Sequence, residues 1–291
     1  MLTKNMKFAV IGGDERFIYL AESLAKAHFE VTVYGFCLSD TEFNYAVKCP
    51  SLSDALMGVD CVILPLPYTK DGVNVHSPFS SRKIGIGEVF SSLTRGTLVL
   101  AGKCDKNIET LSSSLGCELI DYIECEDIAI LNTVPTAEGA IELALQKTVY
   151  TLHNSNVAVC GFGRVGSILS HKLSAMGAHV TVGARRSEVL CLAKAYGYKT
   201  LCLENLKREI CKFDIVFNTV PDVIITNTVL DKTKDSTIII DLASSPGGVD
   251  IPYAESKGIR VFTALGLPGK CAPKSAGEIL KDGIINLLEK R

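Results

Sequence analysis

The sequence carries almost no net charge: 30 Lys and Arg stand against 32 Asp and Glu, leaving −2 at neutral pH. No global field therefore draws the chain onto nucleic acid or an anionic membrane, and any anionic ligand must be met locally. It also lacks an unbroken apolar run of the roughly 18 residues that cross a bilayer. The opening MLTKNMKFAVIGG has too short an apolar core for a signal peptide. A cytoplasmic protein is expected, with neither nucleic acid nor membrane as partner. None of the eleven cysteines falls in a C-x-x-C pair, which removes zinc-ribbon and thioredoxin-like chemistry. No metal site is expected. Most cysteines lie beside apolar residues, as in Asp60-Cys61-Val62-Ile63-Leu64, where a reduced thiol packs as a small hydrophobe. Cys271 alone sits in a loop where it could touch chemistry.

What is present organises itself around residues 155–187. The apolar run Val157 to Cys160 meets Gly161-Phe162-Gly163-Arg164-Val165-Gly166 directly, a helix is expected over Val165 to Met176, and a second strand over His179 to Gly183. That is a complete unit for a dinucleotide: Gly161 for the tight turn, Gly163 to let a phosphate approach, Gly166 for close packing of helix on strand. The pyrophosphate would face backbone N–H groups at a helix N-terminus. After the second strand comes Gly183-Ala184-Arg185-Arg186-Ser187. A cofactor without a 2′-phosphate calls for Asp or Glu here, whereas two guanidiniums and a hydroxyl suit the phosphate of NADP(H). NADP is therefore the expected cofactor, with an exposed Arg pair capping the loop as the plainer alternative.

At 291 residues and 47% hydrophobic, the chain is long enough for two buried cores. An α/β protein is expected, built as two doubly wound Rossmann-like domains with a cleft between them. Residues 1–135 form a substrate- or catalytic-type domain; residues 136–291 carry the dinucleotide, the closing helix 274–291 packing back on the first domain. In the first domain Lys7 to Ile11, Val31 to Gly35, Cys61 to Pro65, Thr97 to Ala101 and Glu118 to Asp121 read as strands. Asp127 to Asn132 reads as one more. The first turn has Gly12-Gly13-Asp14-Glu15-Arg16 but no G-x-G-x-x-G, so no second nucleotide is expected there. Arg16 could pair a substrate carboxylate or simply cap its turn through Asp14. Residues 68–87 form the one long polar loop, where a lid would be found; its His76 is set aside as a solvated loop histidine.

Pro135 precedes Thr136, a candidate N-cap for a helix to about Gln146, whose N-terminus would favour a substrate carboxylate. Strands are expected at Phe213 to Thr219, Thr237 to Asp241 and Arg260 to Phe262. Two of them end in loops expected along the cofactor edge, the first carrying Asn218, Thr219, Val220 and Pro221, the second Asp241, Ala243 and Ser244. Lys270 and Lys274 flank the turn before the closing helix, where they could bind substrate. Lys274 is the candidate catalytic residue.

Gly12-Gly13-Asp14 with Arg16, VPTAEGA at 134–140, GFGRVG, VGARR at 182–186, NTVP at 218–221, and GLPG followed by APKSAG together resemble the A subunits of dipicolinate synthase. The likeness runs through both domains; the motifs are individually weak, and their order and spacing make the set specific. The resemblance implies NADP-dependent oxidation of dihydrodipicolinate, or its hydroxytetrahydro precursor, to pyridine-2,6-dicarboxylate during sporulation. It also implies the cytoplasm of the mother cell, a homo-oligomer, and partnership with a flavoprotein-like B subunit. Ser245 stands where the family pattern has Arg, so an anion contact there would be absent or moved to Lys270. The domain arrangement and TAEGAIELA also resemble D-2-hydroxyacid dehydrogenases, which need a carboxylate-backed His in the loop before the closing helix. That loop holds none of the five histidines. Aromatisation of a dihydropyridine needs only a hydride acceptor and a modest base. Two alternatives remain: another NADP-linked dehydrogenase of small carboxylates, and a nucleotide-binding subunit inactive without its partner.

Overall fold

The computed structural model describes residues 6–291; the first five, part of the segment tested above for a signal peptide, lie outside the described residues. The first strands are β1 (Lys7–Ile11), β2 (Glu30–Tyr34), β3 (Val47–Lys48), β4 (Cys61–Ile63), β5 (Leu98–Ala101) and β6 (Glu118–Asp121). They are followed by β7 (Asn156–Cys160), β8 (His179–Ala184), β9 (Lys199–Cys202), β10 (Ile215–Asn218), β11 (Ile238–Asp241) and β12 (Arg260–Thr263). Helices α1 (Glu15–Lys26), α2 (Leu52–Leu56), α3 (Ile86–Ser91), α4 (Lys106–Leu115), α5 (Glu126–Leu131) and α6 (Thr133–Lys147) occupy the first half. The second half has α7 (Arg164–Ala175), α8 (Ser187–Ala195), α9 (Leu206–Glu209), α10 (Asn227–Leu230), α11 (Ile251–Ser256), α12 (Leu267–Cys271) and α13 (Pro273–Glu289).

The chain divides into two compact units, unit 1 being Met1–Asn132 with Ala272–Arg291 and unit 2 being Thr133–Cys271. Each is built on a six-stranded sheet, β3-β2-β1-β4-β5-β6 in unit 1 and β12-β11-β10-β7-β8-β9 in unit 2. Read from β9, the second order is the first one repeated, and the strands in both are parallel. Parallel sheets are covered on both faces, which is why LVLA, IVFN and IIID are buried without a polar break. Alternation sorts the faces: Phe8 and Val10 enter one core of unit 1 while Ala9 and Ile11 enter the other. Val157 and Val159 are divided from Ala158 and Cys160 in the same way. Strand order reverses between β1 and β4, and again between β7 and β10, so each unit has a crevice at the carboxyl ends of those strands.

Several expectations need correction. Residues 127–132 are helix α5, not strand: Glu126 and Asp127 favour its first turn, and Ile128 lies where a side chain at Gly283 of α13 would be. A short apolar run does not reveal its period. Pro135 does not hold the chain extended before a helix at Thr136, because α6 already begins at Thr133. Proline is tolerated in a first turn, whose N–H groups have no intrahelical partner, so Thr136 is no N-cap. The supposed loop before the closing helix holds α12, and α13 starts at Pro273. Residues Glu126–Lys147 are long and apolar enough by length and average composition to cross a membrane, 22 residues with a window of mean hydropathy 1.2, 44% of it buried inside the protein, although Glu138 and Glu142 interrupt the apolar run. Ile128 and Ala129, and then Ala137, Ala140, Ile141 and Ala144, are core side chains, and packing accounts for that apolarity.

Candidate functional site

In unit 2 the three glycines after β7 have three different surroundings. Gly161 has φ +100°, and a Cβ there would meet Thr219 Oγ1 at 2.2 Å. Gly166 is pressed on the turn itself, an added Cβ falling 2.2 Å from the Gly161 carbonyl oxygen. At Gly163 nothing lies within 4 Å. The open position is the one a phosphate must approach, and the crowded ones close the turn and seat the helix. Gly163 is also the N-cap of α7 and supplies no side-chain hydrogen bond, so the α7 amides face that opening without a capping side chain from it. Arg164 and Val165 begin the helix.

A cavity of about 310 Å³ borders this turn, lined by Gly161, Phe162, Gly163, Ala184, Arg185, Arg186, and the apolar Val189, Leu203 and Val220. Its cationic rim is the Arg pair. Arg185 Nη2 lies 2.6 Å from Asp222 Oδ2, and Arg186 Nη1 lies 3.4 Å from Glu188 Oε1; all four side chains are more than half exposed. Ser187 is the first residue of α8 and exposed. Sequence reasoning missed Val189, Leu203 and Asp222: β9, which the sequence did not reveal, brings Leu203 beside β8, and an isolated apolar residue carries no signal of its own.

Behind the cavity, Asn218 and Asp241 are almost wholly buried and spent on holding loops. Asn218 Nδ2 donates to Asp241 Oδ1 (2.8 Å) and to the Val220 carbonyl (3.0 Å), while Val220 N–H donates back to Asn218 Oδ1 (3.1 Å). Asp241 also accepts from Ala243 N–H (3.2 Å) and Gly248 N–H (2.9 Å). Thr219 closes the turn from the other side, its N–H and hydroxyl both donating to the Cys160 carbonyl at 2.9 Å. Pro221 and Ser244 are exposed, and Ala243 is buried. Cys271 packs between helices: its thiol donates to the Pro135 carbonyl at 3.2 Å, and burial pushes its pKa up.

Unit 1 has the same turn with its anion site filled. β1 ends at Ile11 and α1 is N-capped by Asp14, which stands where unit 2 has Gly163. Asp14 accepts from Arg16 N–H, and Arg16 is 4% exposed, its Nε and Nη2 held at 2.8 and 2.7 Å by the Asp14 carboxylate and Nη2 also donating to the Leu66 carbonyl. Arg16 thus makes the capping pair, the second of its two expected roles. A Cβ on Gly13 would strike the Phe17 ring at 2.5 Å, and Gly12 is covered by Val75, the His76 carbonyl and Ser77. The polar loop lies against this turn at Gly12 and Gly13. His76, set aside in the sequence, is half-buried here, with Gly13 N–H donating to its carbonyl at 2.8 Å. Thr136 lies within α6; Lys270 is exposed on α12, and Lys274 is exposed in the first turn of α13.

Against known proteins, residues 7–123 match the family of N-terminal domains of the dipicolinate synthase A chain, and residues 142–265 match the shikimate / quinate 5-dehydrogenase family. The A subunit of dipicolinate synthase from Bacillus subtilis (strain 168) is 38% identical over 289 residues, 99% of this chain and 97% of that protein. The crystal structure of its counterpart from Bacillus halodurans has TM-score 0.87 at 35% identity, covering 98% of each chain. The fold is shared more widely, with a transhydrogenase from Sinorhizobium meliloti at TM-score 0.71 and 17% identity over 97% of this chain and 93% of that one. With identity at this level over nearly its whole length, the chain belongs to the family of dipicolinate synthase A subunits.

Proposed function

We propose that this chain is an NADP-linked oxidoreductase that oxidises dihydrodipicolinate, or its hydroxytetrahydro precursor, to pyridine-2,6-dicarboxylate, working with a flavoprotein-like B subunit in the cytoplasm of a sporulating mother cell. The observation that carries the reading is the cradle of unit 2: an open Gly163, which caps α7 with no side chain, bordered by Arg185 and Arg186 with no carboxylate at the end of β8. The residues fit a dinucleotide phosphate there, and the Arg pair favours a 2′-phosphate over a ribose hydroxyl. When bound, NADP⁺ supplies the hydride acceptor. Loss of one hydride and one proton from a dihydropyridine ring leaves the aromatic pyridine, the hydroxytetrahydro precursor first losing water to reach that ring, so for the oxidation the protein has only to hold the substrate and receive the proton. Lys274, exposed at the start of α13, is the proposed proton acceptor. Lys270 remains a substrate-carboxylate contact in this reading.

The test is spectroscopic. NADP⁺ with freshly formed dihydrodipicolinate should gain the reduced-nicotinamide absorbance, with NAD⁺ far less effective, and addition of the B subunit should reveal any dependence on the partner. Absence of reduction in all combinations would refute the oxidoreductase reading and leave a nucleotide-binding subunit.

A further inference from the structure

The polar loop against the β1 turn of unit 1 also walls a cavity. It is an open cleft of about 310 Å³ lined by residues 70–83, at the lower end of the range for small-molecule sites. It follows β4, and through Gly13 N–H and the His76 carbonyl it is tied to the turn after β1. Those two strands flank the reversal of strand order, where open α/β sheets place their ligands.

The cavity is built rather than loose. Val75 N–H donates to Ile84, His76 N–H to Tyr68, Tyr68 N–H to Gly102 and Ile86 N–H to Val73, all between 2.8 and 2.9 Å. Asp71 pins the tip, accepting from Val73 N–H, Asn74 N–H and Asn74 Nδ2, and these bonds hold its carboxyl well below the usual carboxylate range. Its lining is cationic: Lys70 on one limb, Arg82 and Lys83 on the other, with Asp71 the only acid. Arg82 is aimed by Glu88 and the Tyr34 hydroxyl. Lys70 and Lys83 have no ion pair among the described residues. The His76 ring nitrogens likewise have no hydrogen-bond partner there, while burial, with Lys70 next, lowers its pKa and leaves a neutral imidazole able to donate and accept.

We propose that this cavity binds a small organic dicarboxylate, Lys70 and Lys83 meeting its carboxylates from the two limbs and His76 hydrogen-bonding between them. The identity of the ligand as a pyridine or dihydropyridine dicarboxylate rests on the function proposed above; the site rests on the loop. Two charged ends suit cations on both limbs, and a carboxylate meets each ammonium without the competition of an existing ion pair.

The test titrates the full chain with pyridine-2,6-dicarboxylate by calorimetry, with His76 followed by NMR and assigned through His76→Gln. Wild type should bind, the His76 ring resonances should shift, and affinity should fall as salt rises. Lys70→Ala and Lys83→Ala should each weaken binding about tenfold, the loss expected of one charge-assisted contact, while NADPH affinity and melting temperature stay unchanged. Wild-type affinity in the double variant, no binding at millimolar dicarboxylate, or equally tight binding of inorganic phosphate would each overturn the proposal. Dicarboxylate binding of the expected kind without NADP⁺ reduction would support the site and sink the oxidoreductase reading. Reduction that survives Lys70→Ala and Lys83→Ala with unchanged KM would do the reverse.

Discussion

Arg185 does not wait empty for a phosphate: it holds Asp222 at 2.6 Å, the side chains being 55% and 59% exposed. A pair so exposed contributes about 0–1 kcal/mol. The 2′-phosphate of NADP(H) must compete with that carboxylate, and Asp222→Asn removes the competitor's charge. The variant should therefore bind NADPH more tightly, by no more than about fivefold, the equivalent of 1 kcal/mol. Arg185→Ala removes the phosphate contact itself, a loss of about 1.5–3 kcal/mol or roughly 10- to 150-fold in affinity. NADH should change little in either variant. In the double variant the gain from Asp222→Asn should vanish, because the acid then has no Arg185 to occupy, and the four proteins form a cycle that isolates the coupling. Fluorescence titration of both reduced cofactors at two ionic strengths measures all of this. If Asp222→Asn weakened NADPH binding, the acid would be a cofactor ligand rather than a competitor; if Arg185→Ala weakened NADH as much as NADPH, no 2′-phosphate contact would exist.

Gly163→Val should fold with an unchanged melting temperature, since its Cβ meets open space, yet lose NADPH binding; retained affinity would mean that the pyrophosphate lies elsewhere. Gly166→Ala, whose Cβ would fall on the Gly161 carbonyl, should instead destabilise unit 2 by about 1–3 kcal/mol in thermal melts. Lys274→Ala should lower turnover about ten- to hundred-fold with NADPH affinity intact, and unchanged steady-state kinetics would remove it as the proton acceptor. Burial, then Lys70 and Arg16 against the opposing Asp14, lowers the His76 pKa on folding. Its contribution to stability should be complete above the ordinary histidine value of about 6.5 and lost as pH falls through the lowered one, a slope that His76→Gln should flatten in pH-dependent denaturation.

The dinucleotide turn was legible because its requirements are local: a strand, glycines at fixed steps and a helix lie consecutively in the sequence. The central strands were legible too, β1 to the residue, because burial on both faces leaves an apolar run. Edge strands β3 and β9 were not; Val47 and Lys48 are exposed and Lys199 begins a strand with little apolar character. Residues 127–132 misled because β-branched side chains served a helix packed on α13. The role of Arg16 could not be decided from spacing, since the Leu66 carbonyl that fixes its guanidinium is 50 residues away. His76 looked solvated for a similar reason: the turn after β1 that half-buries it is remote in sequence.

Unit 1 is interrupted in sequence by the whole of unit 2, and this sets an order on biosynthesis. Once Cys271 has left the ribosome, unit 2 has every residue of its core, whereas unit 1 still lacks α13. Leu280, Ile284 and Leu288 of that helix share a core with Phe17, Leu20 and Leu24 of α1, and Gly277 lets the two backbones meet at the Arg16 carbonyl. Until α13 arrives, the nascent chain presents an uncovered apolar face on α1, the kind of surface that chaperones bind and that aggregates when they do not. Defects in α13 should then appear first as poor yield of a chain whose unit 2 is already folded.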